Sequence, residues 1–449
     1  MTQTSLPPAF LAETTNRLRE ANAPIARRFV GESASRQPVH SVYGGAQLFK
    51  HDSAHKLGRA ALKALDEYAP DARTFARAIG IAQGVSDATA EVVYQRVRAK
   101  LEREPVEDQR IDFEDGYGNR PAAEEDGDAV RCAHEVARGM QERTLPPFIG
   151  IRIKTFSDEL FARSARTLDL FVSALVGATG GKLPDGFVVT LPKITTPEHV
   201  GVLADLLEAL EAKLGLPAGA LRLELMIEDL RTILLLDGTI GLPKLLDQAR
   251  GRCVAAHFGT YDFTASNNIT AAYQAMDHWH CTWAKAFMTN AFAGTGLWLS
   301  DGATNVMPVP LHRGDALSPA QHKENVDAVH AAWALHVRHI RHSLVHGYYQ
   351  GWDLHPAQLP TRYAALYAFF LEALPAASAR LQNFVAKAAQ ATLVGDVFDD
   401  AATGQGLLNF FLRGINCGAL TEAEALATGL TLEELRGRSF VKILQNRRG

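Results

Sequence analysis

Eight times along this chain a short run of β-branched or aromatic residues gives way, through a turn, to a longer amphipathic run rich in Ala, Leu, Glu and Arg. Strands separated by helix-length crossovers pair in parallel and carry the helices outside the sheet. The candidate strands are PVHSVY (38–43), QRIDFE (109–114), FIGIRI (148–153), GFVVTLPK (186–193), LRLELMIE (221–228), RCVAAHFGTYD (252–262), TNVMPV (304–309) and GWDLH (351–355). Eight is the number that closes a (β/α)8 barrel, so the predicted fold class is α/β, a TIM barrel.

The chain's 449 residues exceed one typical domain and fall short of three. Residues 1–37 read as an N-terminal extension and 38–370 as the barrel. The stretch 53–101 is a helical insertion after the first strand, longer than a minimal crossover needs. Beyond Pro356 the strand signals stop, and 371–449 reads as a C-terminal helical domain. Local start signals agree: Thr196-Pro197 places a cap before a proline, and capping boxes stand at Ser318–Gln321, Thr421–Glu424 and Thr431–Glu434.

Forty-six basic against fifty acidic residues leave a formal charge of −4, which offers no electrostatic drive toward nucleic acid or anionic lipid. Four widely spaced cysteines form no C-x-x-C pair and suggest neither a zinc site nor a disulfide framework. No leader-like n-region and h-region opens the chain, and no uninterrupted apolar run is long enough to span a bilayer. The expectation is a cytoplasmic homo-oligomer whose partner is a small molecule, with neither nucleic acid nor membrane involved.

Catalytic groups of such barrels sit at the C-terminal strand ends. There this sequence places Asp112-Phe113-Glu114-Asp115, Arg152 with Lys154, Pro192-Lys193, Glu228-Asp229, Gly259-Thr260-Tyr261-Asp262, and Asp353 with His355. Carboxylates gathered on one rim resist ionisation unless a cation offsets them. Two of them, Glu228 and Asp262, with coordination positions left open suit Mg2+, which could then chelate a 2-oxo acid. Arg152, on a neighbouring strand, would face the oxygen where charge develops. Taken singly, each of these residues is as readily a helix cap, a solvated loop residue or, for Lys193, a structural ion-pair partner.

In these same residues the chain resembles the superfamily of malate synthase, the citrate lyase β subunit, malyl-CoA lyase and the HpcH/HpaI aldolases, over roughly residues 38–358. DFEDG at Asp112, LPK at Leu191, LGLPAGALRLELMIEDL from Leu214, GTYDF at Gly259 and GYYQGWDLHPAQL from Gly347 are similar to its motifs, in the same order on the same strands. The resemblance implies that Glu228 and Asp262 are Mg2+ ligands and Arg152 the catalytic arginine, with Arg152, Lys193, Gly259 and Asp262 binding substrate. FDDAATGQ at Phe398 resembles the segment that carries the malate synthase base, which makes Asp400 a candidate catalytic base. The alternative is that Asp399-Asp400 caps a helix. The chain departs from the pattern at Thr260-Tyr261, where malate synthases have Arg-Trp, and at Asp229, where Thr is usual.

The resemblance implies a Mg2+-dependent carbon–carbon lyase or aldolase acting on a small 2-oxo or hydroxy acid, or its acyl thioester. The alternative is a malate-synthase-like condensation of acetyl-CoA with glyoxylate, and a third reading is a binding or regulatory protein on a retired barrel. His330, His336, His339, His342 and His346 recur along one predicted helix. They are expected on a solvated face or subunit contact rather than around a metal, because they precede the eighth strand, away from the rim.

Overall fold

The computed structural model describes residues 5–31, 35–314, 316–386, 392–394, 397–399, 401–437 and 443. Eight parallel strands close into a barrel in sequence order. They are β1 His40–Gly45, β2 Asp108–Asp112, β3 Phe148–Arg152, β4 Val188–Leu191, β5 Arg222–Ile227, β6 Cys253–Phe258, β7 Trp298–Ala303 and β8 Gln350–Asp353. β1 pairs with both β2 and β8, which leaves no free edge.

Side chains alternate across each strand, and the two faces divide cleanly. One set, including Ile111, Ile149, Ile151, Val189, Leu223, Leu225 and Ile227, is fully buried against the surrounding helices. The other set points into the lumen, as contacts between non-adjacent strands show: Arg110 on β2 meets Glu224 on β5, and Arg152 on β3 meets Met226 on β5. A barrel of this kind is usually filled by layers of branched apolar side chains. Here the middle of the lumen is a charged belt. Arg110 donates from Nε and Nη2 to the two Glu224 oxygens, 2.7 Å each, and from Nη1 to Asp108. Thr190 also donates to Glu224. Trp352 Nε1 donates to His257 Nδ1 at 3.1 Å, so the ring proton sits on Nε2, 3.3 Å from Glu224.

Three helices, Ser53–Tyr68, Ala72–Ala78 and Asp87–Arg103, occupy the stretch between β1 and β2. They share a second apolar core with the helices Pro319–Val345, Leu359–Ala386 and Ala401–Asn416. The capping boxes at Ser318, Thr421 and Thr431 form as the sequence predicts. Thr196 starts its helix without a side-chain cap bond. The segment Pro356–Asn383 is long and apolar enough to cross a membrane, but it packs against four neighbouring helices and carries buried Arg362, ion-paired to Asp353 at 2.9 Å. Its apolar residues belong to the core.

Three sequence expectations are corrected. The seventh strand is not TNVMPV but the preceding Trp298–Ala303. Its Ser-Asp-Gly centre reads as a turn, yet Asp301 is buried, and its Oδ2 accepts 2.6 Å bonds from both Lys285 Nζ and Ser343 Oγ. The region after Pro356 is not wholly helical, since Thr392–Val394 and Val397–Asp399 pair as an antiparallel two-stranded sheet. Nor do all five histidines share a solvated face: His346 is exposed and His330 and His342 are half-buried, but His336 and His339 are buried. His336 bonds Thr361 at 2.7 Å and faces Asp353 at 3.1 Å, while His339 bonds Thr304 at 2.8 Å.

Candidate active site

The C-terminal rim is assembled from five successive strand ends. β2 ends in Asp112, whose carboxylate accepts the backbone N–H groups of Glu114 (3.0 Å) and Gly116 (2.7 Å) and so folds the following turn back onto itself. Gly116 is required there, because a Cβ would lie 2.6 Å from Asp112 Oδ2. β3 ends in Arg152. Its Nε donates to Asp112 Oδ1 at 2.7 Å and its Nη2 to Oδ2 at 2.5 Å, a two-point fork that fixes the guanidinium plane. The third nitrogen, Nη1, lies 3.3 Å from Glu114 Oε2 and 3.8 Å from Met226 Sδ. Beneath the guanidinium lies the Tyr43 ring, 4.9 Å from its carbon. Burial alone would lower the Arg152 pKa, but the Asp112 carboxylate holds it well above the ordinary value. Arg152 is a permanent cation.

Two residues past β4, Lys193 takes a left-handed conformation with φ +48°. For a side chain with a Cβ this costs about 1–2 kcal/mol. The turn directs the Lys193 N–H at Glu228 Oε1, 2.6 Å away, while its ammonium reaches Glu114 (2.5 Å), Asp115 (2.9 Å) and Asp262 (3.7 Å). Lys193 is thus an ion-pair partner of the rim as well as a member of it.

Glu228 follows β5 and is buried. Burial first, and then the charge of Asp262, push its carboxyl pKa up to about 8. Glu114 is also raised, chiefly by burial. Asp262 stands not at a strand end, as the sequence suggested, but in the first turn of the helix Thr260–Ser266 that follows β6. Gly259, between β6 and that helix, lets them approach, since a Cβ there would lie 2.4 Å from Glu228 Oε2. The rim therefore brings together Arg152, Lys193, Glu228, Gly259 and Asp262. Asp400 lies outside the described residues.

Other strand-end residues have local duties. Asp229 caps the short helix Leu230–Ile233 and forks with Arg231. His355 caps the turn that leads into the long helix after β8. Tyr261, where malate synthases carry Trp, bonds the Ala303 carbonyl and the Asn305 N–H across the β6–β7 gap. The buttressing role of Asp112 and the seat provided by Tyr43 escaped the sequence reading. The alternation of β1, which points Tyr43 inward with Ser41, is the signal that could have found the second.

Among the described residues no three His, Cys, Asp or Glu side chains converge to hold an ion by themselves. Glu228 and Asp262 are two carboxyl groups, and Glu228 is kept from ionising at neutral pH by burial first and then by the charge of Asp262. That donor set fits Mg2+, which takes one or two carboxylates and fills its remaining positions with water or substrate oxygens. It does not fit a metal that needs an all-protein cage.

Comparison with solved structures places the fold. A citrate lyase from Burkholderia xenovorans LB400 is 19% identical, with a TM-score of 0.53 over 90% of this chain and 96% of that one. Haloferax volcanii malate synthase in a pyruvate/acetyl-CoA ternary complex is 14% identical, with a TM-score of 0.47 over 92% and 98%. Its magnesium/glyoxylate complex is 13% identical, with a TM-score of 0.47 over 74% and 76%. No curated protein matches the sequence. A family model does: it spans residues 18–443 and is described as a domain of unknown function, DUF6986, and the chain belongs to that family.

Proposed function

We propose that the chain is a Mg2+-dependent carbon–carbon lyase that cleaves or forms a bond next to the carbonyl of a small 2-oxo or hydroxy acid, or of its acyl thioester. The observation that carries this reading is the meeting, on one rim, of a locked and permanently charged Arg152 with the carboxyl pair Glu228 and Asp262. The fold shared with a protein named as a citrate lyase points the same way. All four cysteines are unpaired and buried, in keeping with a reducing cytoplasm.

Mg2+, held by Glu228 and Asp262, would act as a Lewis acid on a 2-oxo acid. The protein's own groups do the rest. Arg152 offers Nη1 to the oxygen on which negative charge grows, while Nε and Nη2 stay on Asp112, so the donor does not reorient during reaction. Because its pKa is raised, Arg152 stabilises charge and does not transfer a proton. The Lys193 N–H fixes one Glu228 oxygen, and the Lys193 ammonium restrains Glu114 and Asp115, the two carboxylates nearest to Nη1.

The test is a screen of pyruvate, oxaloacetate and glyoxylate, with and without acetyl-CoA, for Mg2+-dependent turnover, and for thermal stabilisation by a ligand bound only to the native state. Turnover abolished by EDTA and by Asp262→Asn is expected; full activity of that variant in EDTA contradicts the reading. The second reading, a glyoxylate-dependent condensation of acetyl-CoA, is favoured by the stretch from Leu214 to Leu230 and predicts release of free thiol.

A further inference from the structure

The opposite end of the barrel holds a cavity of about 1060 Å³, large enough for an organic ligand and remote from the rim that carries Glu228 and Asp262. Its ceiling is the charged belt of the lumen. Its walls are the N-terminal ends of the strands and the end of the helix Pro8–Arg28, which is tethered below the barrel by Arg28 Nη2 to the Pro243 carbonyl (2.7 Å) and by Gly31 N–H to the Gly294 carbonyl (2.7 Å).

Two features define what the cavity can take. The first is aromatic. Phe148 at the start of β3 and Trp298 at the start of β7, on opposite sides of the barrel, meet edge to face across the mouth with centroids 5.5 Å apart. Gly186, at φ +64°, allows the Phe148 ring to lie there, since a Cβ would stand 2.8 Å from that ring. The second is charge. The belt is internally paired, Arg110 with Asp108 and Glu224, and Arg28 is paired with Asp247. Among the described residues that line the cavity, Arg222 and Arg27 have no carboxylate in ion-pair range, against one such carboxylate, Asp185. Arg222 shares its strand face with Glu224, so it points to the lumen. Four arginines and four carboxylates line the cavity, so its formal charge balances; Arg222 and Arg27 are the guanidinium groups left without an ion-pair partner, and Arg222, at the start of β5, shares the mouth with the aromatic pair.

We propose that this lower mouth is a second binding site, for a planar aromatic carboxylate. The ring would lie against Trp298 and Phe148, and the carboxylate would accept from the planar fork of the Arg222 guanidinium, with Arg27 as a second cation at the opening. The site is independent of the reaction assigned to the upper rim.

The experiment is a fluorine NMR titration of the full chain with 4-fluorobenzoate, with 4-fluorobenzyl alcohol as the uncharged control. Expected are saturable broadening of the benzoate signal, little effect on the alcohol, and affinity weakened about tenfold or more by Arg222→Ala. A smaller loss is expected in Arg27→Ala, a change on an exposed helix that leaves the barrel intact. Asp262→Asn, at the other end, should bind like the parent. No binding at millimolar benzoate, equal binding by parent and both arginine variants, or loss of binding in Asp262→Asn would each overturn the proposal.

Discussion

Asp112 holds Arg152 through both of its carboxylate oxygens, at 2.7 and 2.5 Å, and at the same time accepts two backbone N–H groups of the turn that follows it. One side chain thus sets both the cation of the rim and the loop that carries Glu114 and Asp115. Asp112→Ala strands a buried guanidinium and should cost about 3–5 kcal/mol of stability. Asp112→Asn keeps the shape but not the charge and should cost less, while still lowering turnover. Urea unfolding of the two variants checks the order; an Ala variant as stable as the parent would refute the account of this pair.

Glu228 makes a pH-dependent prediction. Its native pKa is raised from 4.5 to about 8, so between those values the native state keeps a proton that the unfolded chain has lost. Stability from this group is therefore complete below the unfolded value, falls as pH rises through the window at up to about 1.4 kcal/mol per pH unit, and levels off above about 8. Glu228→Gln removes the effect. The variant should gain on the parent steadily as pH rises, by thermal or urea unfolding in the absence of divalent ions. A stability difference that does not change with pH would count against a raised Glu228.

Binding of a divalent cation requires the ionised carboxyl pair, so Mg2+ should bind more tightly above the Glu228 pKa than below it and should release a proton on binding. At a hundredfold excess over its dissociation constant Mg2+ should stabilise the protein by about 2.7 kcal/mol. Asp262→Asn should lose that stabilisation without unfolding. Calorimetry in two buffers of different ionisation enthalpy measures the proton; no Mg2+ heat at either pH would remove the metal from the proposal.

Gly259 is a steric prediction. Its φ of −98° is ordinary for any residue, so Gly259→Ala carries no backbone strain, but the new Cβ would press on Glu228 Oε2 from 2.4 Å. The carboxyl must move. Mg2+ affinity and turnover should fall at least about tenfold while Tm shifts by only a few degrees. Wild-type Mg2+ affinity in Gly259→Ala would show that the approach of β6 to Glu228 is not needed.

The barrel was readable because its outward strand positions are branched and apolar and alternate with helix-length amphipathic runs, both local signals. The seventh strand was not. Asp301 and Gly302 look like a turn in sequence, and what makes them a strand is a lysine sixteen residues earlier and a serine forty-two residues later, which together satisfy the buried carboxylate. Residue type and strand-end position put Arg152, Lys193 and Glu228 at the rim; Asp262 reaches it from the first turn of a helix that the sequence reading took for the end of β6. Asp112 was legible as an acid but not as a buttress, because its partner lies forty residues away on the next strand. His336 and His339 misled for the same reason, since Asp353 and Thr304, which accommodate them inside the protein, lie on other elements.

The paired charges of the lumen bear on how the barrel comes together. Arg110 and Glu224 are 114 residues apart, and Glu224 has no arginine partner until β5 has docked opposite β2. A half-formed barrel exposes Asp108 and Arg110 without Glu224, and such groups hold water strongly. Partial barrels of this chain should therefore stay hydrated along their inner face, and expulsion of that water belongs to the closing step, when the strands from both halves of the sequence meet.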